Sequence, residues 1–373
     1  MKIIHIASFN GNIGDNVSHA GLSNILDNFF TKAKISKLEM RRTYRNYTGK
    51  NPINFNSSFI KYINKFDLII FGGGGYFDFS NNKSKTSTYY DIDIKLISLI
   101  KKPTIFSSIG AYPFGKINKN NIKKFKQFIN AINENKKIEI LLRNDGSDKI
   151  IKRYLGPEYL KKTETVLDSG FFFKRDISKS YIKFSKKYVV INITYDQSLI
   201  YGSNNLNNKS KSIFLEQISK TIEYLINKYN YNIVLMPHIA SDLFMITKLF
   251  NFLSHSTLRS FVSIAPCVQG DEGARLNFDI YYNSEIVLAS RLHANIGSMV
   301  MKKNLIGITS LDRIKYLHDS MLSDSYVKPD KNLFINIKKL LKKDNKKYEK
   351  KIYLAKRNTI NTYKKIFKKL ELI

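Results

Sequence analysis

Runs of apolar residues alternate with amphipathic stretches along the first half of the chain. Residues 2–9 form an apolar run typical of a buried strand, and residues 22–30 then repeat large apolar side chains at helical spacing. Further apolar runs at 66–71, 103–110 and 137–144 are separated by helical patterns, and residues 163–173 predict a last short strand. Strands that alternate with helices of this length predict a parallel sheet that is wound with helices on both faces.

The same alternation restarts after a charged stretch at 174–187, which predicts a linker. The predicted strands that follow are the apolar runs 188–194, 232–238, 260–266, 285–289 and 304–309. The two halves share an architecture but no repeated sequence. We therefore expect an α/β protein with two Rossmann-type, doubly wound domains, at 1–178 and 179–340, that face a central cleft lined by the carboxyl ends of their strands.

A lysine-rich tail at 341–373 also keeps apolar residues at helical spacing. This spacing predicts a C-terminal helix that packs its apolar face back across the domains while its lysines face water. An alternative, also consistent with the pattern, is a helix that lies on an anionic lipid surface.

Composition narrows the class of protein. The chain has 373 residues, of which 43% are hydrophobic and 25% charged, a globular composition with enough length for two domains. The net charge of +32 suggests an anionic partner such as nucleic acid or a membrane surface. However, the basic residues are mostly lysines spread along the chain, which is typical of a coding bias rather than a binding stripe. We expect no nucleic-acid partner, and the sequence leaves open whether the charge has a function.

Cys267 is the single cysteine, so a disulfide framework or a thiolate metal cage is excluded. The first residues lack the apolar stretch of a signal peptide, and no run approaches the ~20 apolar residues that span a bilayer. We expect a cytoplasmic protein, with peripheral attachment to the inner face of the cytoplasmic membrane as an open alternative.

Polar residues follow directly after the predicted strand 285–289, in the sequence SRLHA. Arg291 and His293 are two positions apart, so in an extended segment their side chains share a face. A guanidinium suits a carboxylate or phosphate, and histidine is the usual proton donor near neutral pH. The helix predicted to follow adds an N-terminal dipole that favours an anion. This combination predicts a site for an anionic substrate that needs proton transfer.

Other strand ends carry weaker signals, each with an ordinary structural explanation. GNIGD contributes Asn12, Gly14 and Asp15, which turn and capping chemistry also explains. The glycines at 72–75 expose backbone N–H groups to an anion, but glycine-rich turns are common.

Two single side chains also stand at predicted strand ends. Arg143 ends the run 137–144, where a structural salt bridge is the alternative to substrate binding. His238 ends the run 232–238, and Asp242, four residues later, is a candidate to orient its imidazole.

Taken in order, these motifs resemble the polysaccharide pyruvyl transferase family. The resemblance rests on GNIGD, FGGGG, SSIGAYP, LLRNDGS, VLDSG, VLMPH and LASRLHANIGS, and covers about residues 3–320. It implies a GT-B-like fold with the acceptor side in domain 1–178 and the donor side in domain 179–340. It also implies phosphoenolpyruvate as the donor substrate, no cofactor, no metal, and a sugar hydroxyl pair as the acceptor. The expected acceptor is a sugar of a cell-surface polysaccharide or its precursor, either free or lipid-linked, and the expected product is a pyruvate ketal.

The resemblance also implies roles for single residues. It implies that Arg143, Arg291 and the backbone near Leu292 bind the donor, and that His293 is the general acid. His238 is the candidate acceptor of a hydroxyl proton. The remaining candidate substrate-binding residues are Asn12, Gly14, Asp15, Gly73, Gly74, Gly110, Ser290 and Lys315.

Two positions depart from the family pattern and leave the acceptor open. Asn144 follows Arg143 where the family usually has aspartate, and SSIGAYP places Tyr112 before Pro113. The same fold and basic residues also fit a GT-B glycosyltransferase that uses a nucleotide-sugar donor, which is the alternative function.

Overall fold

A computed structural model describes residues 1–175, 184–197, 208–343 and 348–373. The chain forms two compact units: the first contains Met1–Phe9, Ser18–Phe172 and Ala355–Ile373, and the second contains Asn10–Val17 and Phe173–Leu354. The boundary predicted between 178 and 179 lies outside the described residues, as does most of the predicted linker at 174–187. The first unit is thus assembled from three separate segments of the chain.

The first unit contains a six-stranded sheet. Its strands are β1 (Lys2–Ala7), β2 (Lys34–Glu39), β3 (Leu68–Gly72), β4 (Thr104–Ile109), β5 (Ile138–Arg143) and β6 (Thr163–Val166). Every pairing is parallel, and the order is β2-β1-β3-β4-β5-β6. The apolar runs predicted the buried strands β1, β3, β4 and β5, but not β2. β2 has only two apolar residues among six, and it is a half-exposed edge strand.

Helices connect these strands and cover the sheet. They are α1 (Ile13–Asp27), of which the part from Ser18 onwards belongs to this unit, α2 (Ser57–Ile63), α3 (Lys119–Glu134) and α4 (Ser147–Tyr154). α3 begins where the side chains of Asn118 and Asn121 cap each other's backbone N–H groups, and its buried phenylalanines and isoleucines face the sheet. The helical pattern before the apolar run 103–110 forms only a short 3-10 helix, Ile94–Leu99, within the long connection from β3 to β4.

The second unit contains a second six-stranded parallel sheet. Its strands are β7 (Tyr188–Asn192), β8 (Asn232–Leu235), β9 (Val262–Ile264), β10 (Ile286–Ala289), β11 (Asn304–Ile308) and β12 (Tyr326–Val327). The order is β12-β11-β10-β7-β8-β9, so the chain starts in the middle and winds outwards in both directions. β7 and β10 are neighbours at the point where the winding reverses, which is where sheets of this kind bind ligands.

The helices of the second unit lie between these strands. They are α5 (Asn208–Tyr229), α6 (Asp242–Phe250), α7 (His255–Phe261), α8 (Gly270–Asn283), α9 (Leu292–Val300), α10 (Asp312–Ser320) and α11 (Leu333–Leu340). A final helix, α12 (Glu349–Lys369), begins in the second unit and continues in the first. Two doubly wound α/β units and a C-terminal helix confirm the predicted architecture. No helix among the described residues has the length and apolarity to cross a bilayer.

α12 contributes to both units. Its first turn belongs to the second unit, where Lys302 pairs with Glu349 at 3.2 Å and Tyr348, just before the helix, donates to the carbonyl of Lys303. These contacts carry the second unit to Leu354, beyond the boundary predicted at 340.

In the first unit, α12 buries an apolar face in the core. Tyr363 and Phe367 on this face are buried in one cluster with Ile3, Leu22 and Ile25. The lipid-surface alternative does not fit this face, because its side chains are not available to a membrane.

Candidate active site

Asn192, the last residue of β7, forms hydrogen bonds that connect the carboxyl ends of three neighbouring strands in the second unit, β8, β7 and β10. Its side-chain oxygen accepts the backbone N–H of Arg291 at 2.9 Å, and its amide donates to the carbonyl of Met236 at 2.8 Å. Its own carbonyl accepts the backbone N–H of Ser290. Asn192 therefore fixes the start of the SRLHA segment at the switch point between β7 and β10.

Arg291 is buried, and carboxylates hold its guanidinium. Nε and Nη2 donate to the two oxygens of Asp242 at 2.8 and 2.6 Å, and Nη2 also donates to Asp196 at 2.7 Å. Burial alone would lower the pKa of Arg291, but Asp242 and Asp196 raise it above its ordinary value. Asp242 is fully buried, whereas the side chain of Asp196 is 49% exposed. One partner is thus fixed and the other is accessible to solvent.

His293, in the first turn of α9, lies against the GNIGD turn. Its Nδ1 is 3.9 Å from a carboxylate oxygen of Asp15, a contact that becomes an ion pair when the ring is protonated. The backbone at Gly14 is so close that a Cβ there would come within 2.5 Å of Nδ1. Asn12 accepts the backbone N–H of Gly14 and contacts Asp15. The structure thus brings Asn12, Gly14, Asp15 and His293 together within the second unit.

The GNIGD turn has its own anchors in this unit. The backbone N–H of Ile13 donates to the carbonyl of His238 at 3.3 Å, and the amide of Asn16 donates to Asp271 at 2.8 Å. These bonds explain why residues 10–17 belong to the second unit although they follow β1 of the first.

His238 is buried, and its ring Nε2 lies 2.8 Å from the hydroxyl of Tyr281. The prediction that Asp242 orients this ring is wrong, because Asp242 accepts the backbone N–H of His238 and the side chain of Arg291 instead. Burial, with the charges of Arg291 and His293, lowers the pKa of His238 well below its ordinary value. The ring is therefore uncharged and a weak base.

The other predicted residues of this unit differ in their placement. Ser290 and Leu292 are buried beside Arg291, and the carbonyl of Ser290 accepts the hydroxyl of Ser310. Lys315 is exposed on α10, and no contact among the described residues joins it to Arg291 or His293.

Arg143, in the first unit, ends β5 and is also held by carboxylates. Its Nε donates to Asp145 at 2.8 Å, and its Nη1 donates to Asp168 at 3.3 Å. Burial would lower the pKa of Arg143, but the two aspartates raise it. Gly110 is so close that a Cβ there would contact the guanidinium. Asn144 accepts the backbone N–H of Asp168, so this departure from the family pattern supports the arginine's partner.

The glycine turn after β3 surrounds a histidine that the sequence analysis missed. Gly73 has a φ of +73°, and a Cβ there would lie 3.1 Å from the ring of His19. A Cβ at Gly74 would meet the ring of Tyr76. His19 contacts the carbonyl of Ser8 at 2.7 Å. The predicted residues Gly73 and Gly74 therefore allow close packing at the carboxyl ends of β1 and β3.

The side chains that sequence reasoning missed in the second unit are Asn192, Asp196 and Tyr281. Asn192 left a signal, since it is a polar residue that ends an apolar strand. Asp196 and Tyr281 left none, because only the fold brings them to Arg291 and His238. Within the described residues, no cluster of three or more histidine, cysteine or acidic side chains is placed to hold a metal ion.

Residues 12–313 match the family model of polysaccharide pyruvyl transferases. A search of curated proteins found no match to the chain.

Solved structures similar to the whole chain include three proteins with related folds. The S. aureus MnaA–UDP co-structure is 13% identical and covers 100% of this chain and 97% of its own, with a TM-score of 0.58. The UDP-GlcNAc 2-epimerase of Methanocaldococcus jannaschii is 13% identical, covers 96% and 100%, and has a TM-score of 0.55. A glycosyltransferase from Rickettsia africae is 11% identical, covers 99% and 98%, and has a TM-score of 0.56. At these identities the likeness concerns the fold alone, and it confirms the predicted GT-B-like class.

Proposed function

Because the chain belongs to the polysaccharide pyruvyl transferase family, and is therefore a transferase, we propose that it uses phosphoenolpyruvate to form a pyruvate ketal on a sugar. One observation carries this proposal: Arg291 is locked at the switch point of the second sheet, and His293 stands two residues later beside Asp15. A fixed cation and a proton donor in one turn suit an anionic substrate that must be protonated.

The state of Arg291 supports donor binding. Both carboxylate oxygens of Asp242 accept hydrogen bonds from the Arg291 guanidinium, which fixes the plane of this group before a substrate binds. Asp196 is half exposed, so an incoming carboxylate or phosphate can take its place on Nη2. The remaining nitrogen, Nη1, has no hydrogen bond to a described residue and offers a second donor to the same anion.

The start of α9 adds backbone donors. No side chain caps this end of the helix, which begins at Leu292. The first N–H groups of a helix have no partner within it, and they carry the positive end of its dipole. The backbone near Leu292 thus favours the same negative charge as Arg291, which agrees with the role implied for it by the resemblance.

The chemistry assigns the proton to His293. The imidazolium gives its proton to the methylene carbon of phosphoenolpyruvate, which makes the adjacent carbon electrophilic. One sugar hydroxyl adds to that carbon and loses its proton, and the bond to the phosphate oxygen then breaks. A second hydroxyl closes the ketal ring and loses its proton in turn. Of the two hydroxyl protons, one restores the imidazolium and the other leaves with phosphate, so the reaction balances without an oxidant.

Arg143 and His238 receive different roles. Arg143 is a proposed donor-binding residue of the first unit, fixed in place by two aspartates that also offset its charge. His238 was the candidate base, but its lowered pKa and its buried ring make it a poor one. We assign it a positioning role instead, since its carbonyl holds the GNIGD turn that faces His293.

The acceptor is a sugar of a cell-surface polysaccharide or its precursor, and the location is the cytoplasm. The location follows from the donor, because phosphoenolpyruvate is a cytoplasmic metabolite. Attachment to the inner face of the membrane would have to use the exposed lysines, since the apolar face of α12 is buried.

The test is incubation of the protein with phosphoenolpyruvate and candidate glycans in D2O. Protonation of the methylene group predicts a ketal methyl that carries one deuterium, with release of one phosphate per ketal. NMR and mass spectrometry of the glycan detect both the ketal and its label. Matched reactions replace phosphoenolpyruvate with a panel of nucleotide sugars. Glycosyl transfer from a nucleotide sugar, without any ketal from phosphoenolpyruvate, would contradict the proposal in favour of the glycosyltransferase alternative.

A further inference from the structure

A cavity of about 300 Å³ opens in the first unit, and none of the predicted site residues lines it. It is lined by residues from 43–46, just beyond β2, and from 81–91, in the connection that follows β3. Both segments leave the sheet at the carboxyl ends of its strands, where doubly wound sheets bind their ligands. The volume is at the lower end of the ~300–1,000 Å³ that is typical of small-molecule sites. It therefore suits a ligand of about one ring.

Two tyrosines form an aromatic wall of the cavity. The rings of Tyr44 and Tyr89 stack with centroids 5.0 Å apart. Burial, with the hydroxyls of Tyr76 and Tyr89, holds the pKa of Tyr44 well above its ordinary value. Tyr76 continues this wall to the end of β1, where its hydroxyl accepts the N–H of Ser8 and donates to the Ser8 side chain. The wall therefore presents apolar ring surface and uncharged hydroxyls together.

Polar groups surround this wall. Arg45 donates from Nε and Nη2 to one oxygen of Asp91, at 3.1 and 2.8 Å, and Asn46 and Asn81 add amides to the lining. Asp91 offsets the charge of Arg45, which leaves the exposed Lys83 as the remaining charge of the lining. Because the charges of the lining nearly cancel, the cavity does not select a strongly anionic ligand. It offers donors and acceptors to a neutral one.

The wall is built on a segment that is ordered before any ligand arrives. The buried hydroxyls of Ser84, Thr86 and Thr88 form a chain with links of 3.2 and 2.8 Å. Thr86 also donates to the carbonyl of Tyr90, and Asp91 accepts the backbone N–H of Lys85. These bonds fix the positions of Tyr89 and Asp91, which flank Tyr90 in sequence. A preorganised surface loses less conformational entropy on binding.

We infer that this cavity binds one pyranose ring of the acceptor glycan. A pyranose has apolar C–H faces, which pack on aromatic rings, and hydroxyls around its edge, which need the amide, guanidinium and phenol groups found here. The statement that this sugar is the acceptor rests on the proposed function, whereas the statement that the cavity binds a sugar rests on the cavity alone. A nucleobase is the competing occupant, since it also stacks on tyrosine.

The experiment measures the binding of methyl glycosides of common hexoses and N-acetylhexosamines to the full-length chain by saturation-transfer NMR, without phosphoenolpyruvate. Two variants alter the lining, Arg45→Gln and Asn46→Leu. Arg42→Gln is the matched control, because Arg42 is a nearby half-buried arginine whose side chain donates to the backbone carbonyl of Asn51 and which does not line the cavity. We expect at least one glycoside to bind, roughly tenfold weaker binding in the two lining variants, and unchanged binding in the control.

The same variants then enter the ketal-forming reaction. We expect their KM for the glycan to rise about tenfold, while KM for phosphoenolpyruvate stays at the wild-type value. Binding of no glycoside, or equal binding in all variants, would overturn the inference even if ketal forms. Binding of UMP that the lining variants lose, without glycoside binding, would overturn it in favour of a nucleobase. Glycoside binding without any ketal would overturn the proposed function, and with it the acceptor role of the cavity.

Discussion

Gly14 lies against the imidazole of His293, so closely that a methyl group at position 14 would come within 2.5 Å of Nδ1. Gly14 is in the first turn of α1, and its φ is not positive, so the backbone itself tolerates a side chain. The glycine is therefore explained by the ring that it faces.

Gly14→Ala tests this contact. Alanine favours a helix by up to ~1 kcal/mol over glycine, but its Cβ would also lie 2.6 Å from the Cβ of the buried His293, and overpacking costs ~1–3 kcal/mol, so the melting temperature should stay level or fall. Turnover per folded molecule should fall by roughly 10²-fold, because displacement of a catalytic group by about 1 Å has this effect. Gly21→Ala, in the same helix, is the control for the change in helix propensity, and its turnover per folded molecule should stay unchanged. Equal turnover in both variants would mean that the position of His293 does not matter.

His293→Gln tests the proton donor directly. We expect turnover to fall by ~10²–10⁴ while the affinity for phosphoenolpyruvate stays nearly unchanged, because glutamine cannot supply the proton. Arg291→Lys should weaken donor binding as well as turnover, since lysine lacks the planar fork that Asp242 holds. Melting curves show whether each variant is folded. Full activity of a folded His293→Gln protein would remove the mechanism.

Asp196→Asn tests whether this carboxylate competes with the donor for Arg291. Its side chain is 49% exposed, so the pair is screened and the gain is small. We expect KM for phosphoenolpyruvate to fall by at most about fivefold, equivalent to ~1 kcal/mol. The comparison is Asp242→Asn, which leaves a buried guanidinium without its fixed partner and should destabilise the fold by ~3–5 kcal/mol. A higher KM in Asp196→Asn would show that Asp196 positions Arg291 and does not compete for it.

The free energy of unfolding should decrease as the solution becomes acidic. Burial lowers the pKa of His318 to about 3, and burial with nearby charges lowers the pKa of His238 well below its ordinary value. An unfolded chain protonates these histidines near pH ~6.5, so below that pH it binds more protons than the folded chain. The stability that the uncharged rings provide is thus present above pH ~6.5. It is lost progressively towards pH 3, by up to ~1.4 kcal/mol per histidine and pH unit.

Urea unfolding between pH 7.5 and pH 5 measures this loss. His318→Gln should reduce the slope of stability against pH, whereas His255→Gln, which removes an exposed histidine, should leave it unchanged. A flat profile in the wild-type protein would contradict the prediction.

Phe367→Ala tests the role of α12 in the first unit. Phe367 is completely buried and packs against Phe29 and Phe30 with ring centroids 5.1 and 4.9 Å away. We expect a loss of ~3–5 kcal/mol in the free energy of unfolding, as is usual when a buried phenylalanine becomes alanine. Tyr353→Ala, at an exposed position of the same helix, should change stability by less than ~0.5 kcal/mol. Similar effects of the two substitutions would mean that the helix is not part of the core.

The sequence predicted the sheets well because buried parallel strands are continuous apolar runs. It missed β2 and β12, since β2 is half exposed and β12 has only two residues. Arg291 and His293 were found because they directly follow such a run. Two features of the site depend on contacts between distant segments, which no local pattern encodes. Asn12, Gly14 and Asp15 lie beside His293, and Asp242 binds the side chain of Arg291 instead of the His238 ring. The tyrosine-lined cavity of the first unit matched no motif for the same reason.

The three-segment assembly of the first unit has a consequence for its synthesis. Ile3, on β1, and Phe367, on α12, belong to the same core cluster, although Phe367 is synthesised long after Ile3. The ribosome therefore releases the first sheet long before the helix that covers part of it. The second unit is complete at Leu354, so its core can close earlier than that of the unit that begins the chain. We therefore expect the usual order, in which the N-terminal domain folds first, to be reversed, and the apolar surface beside Ile3 and Leu22 has to be kept from aggregation until α12 emerges.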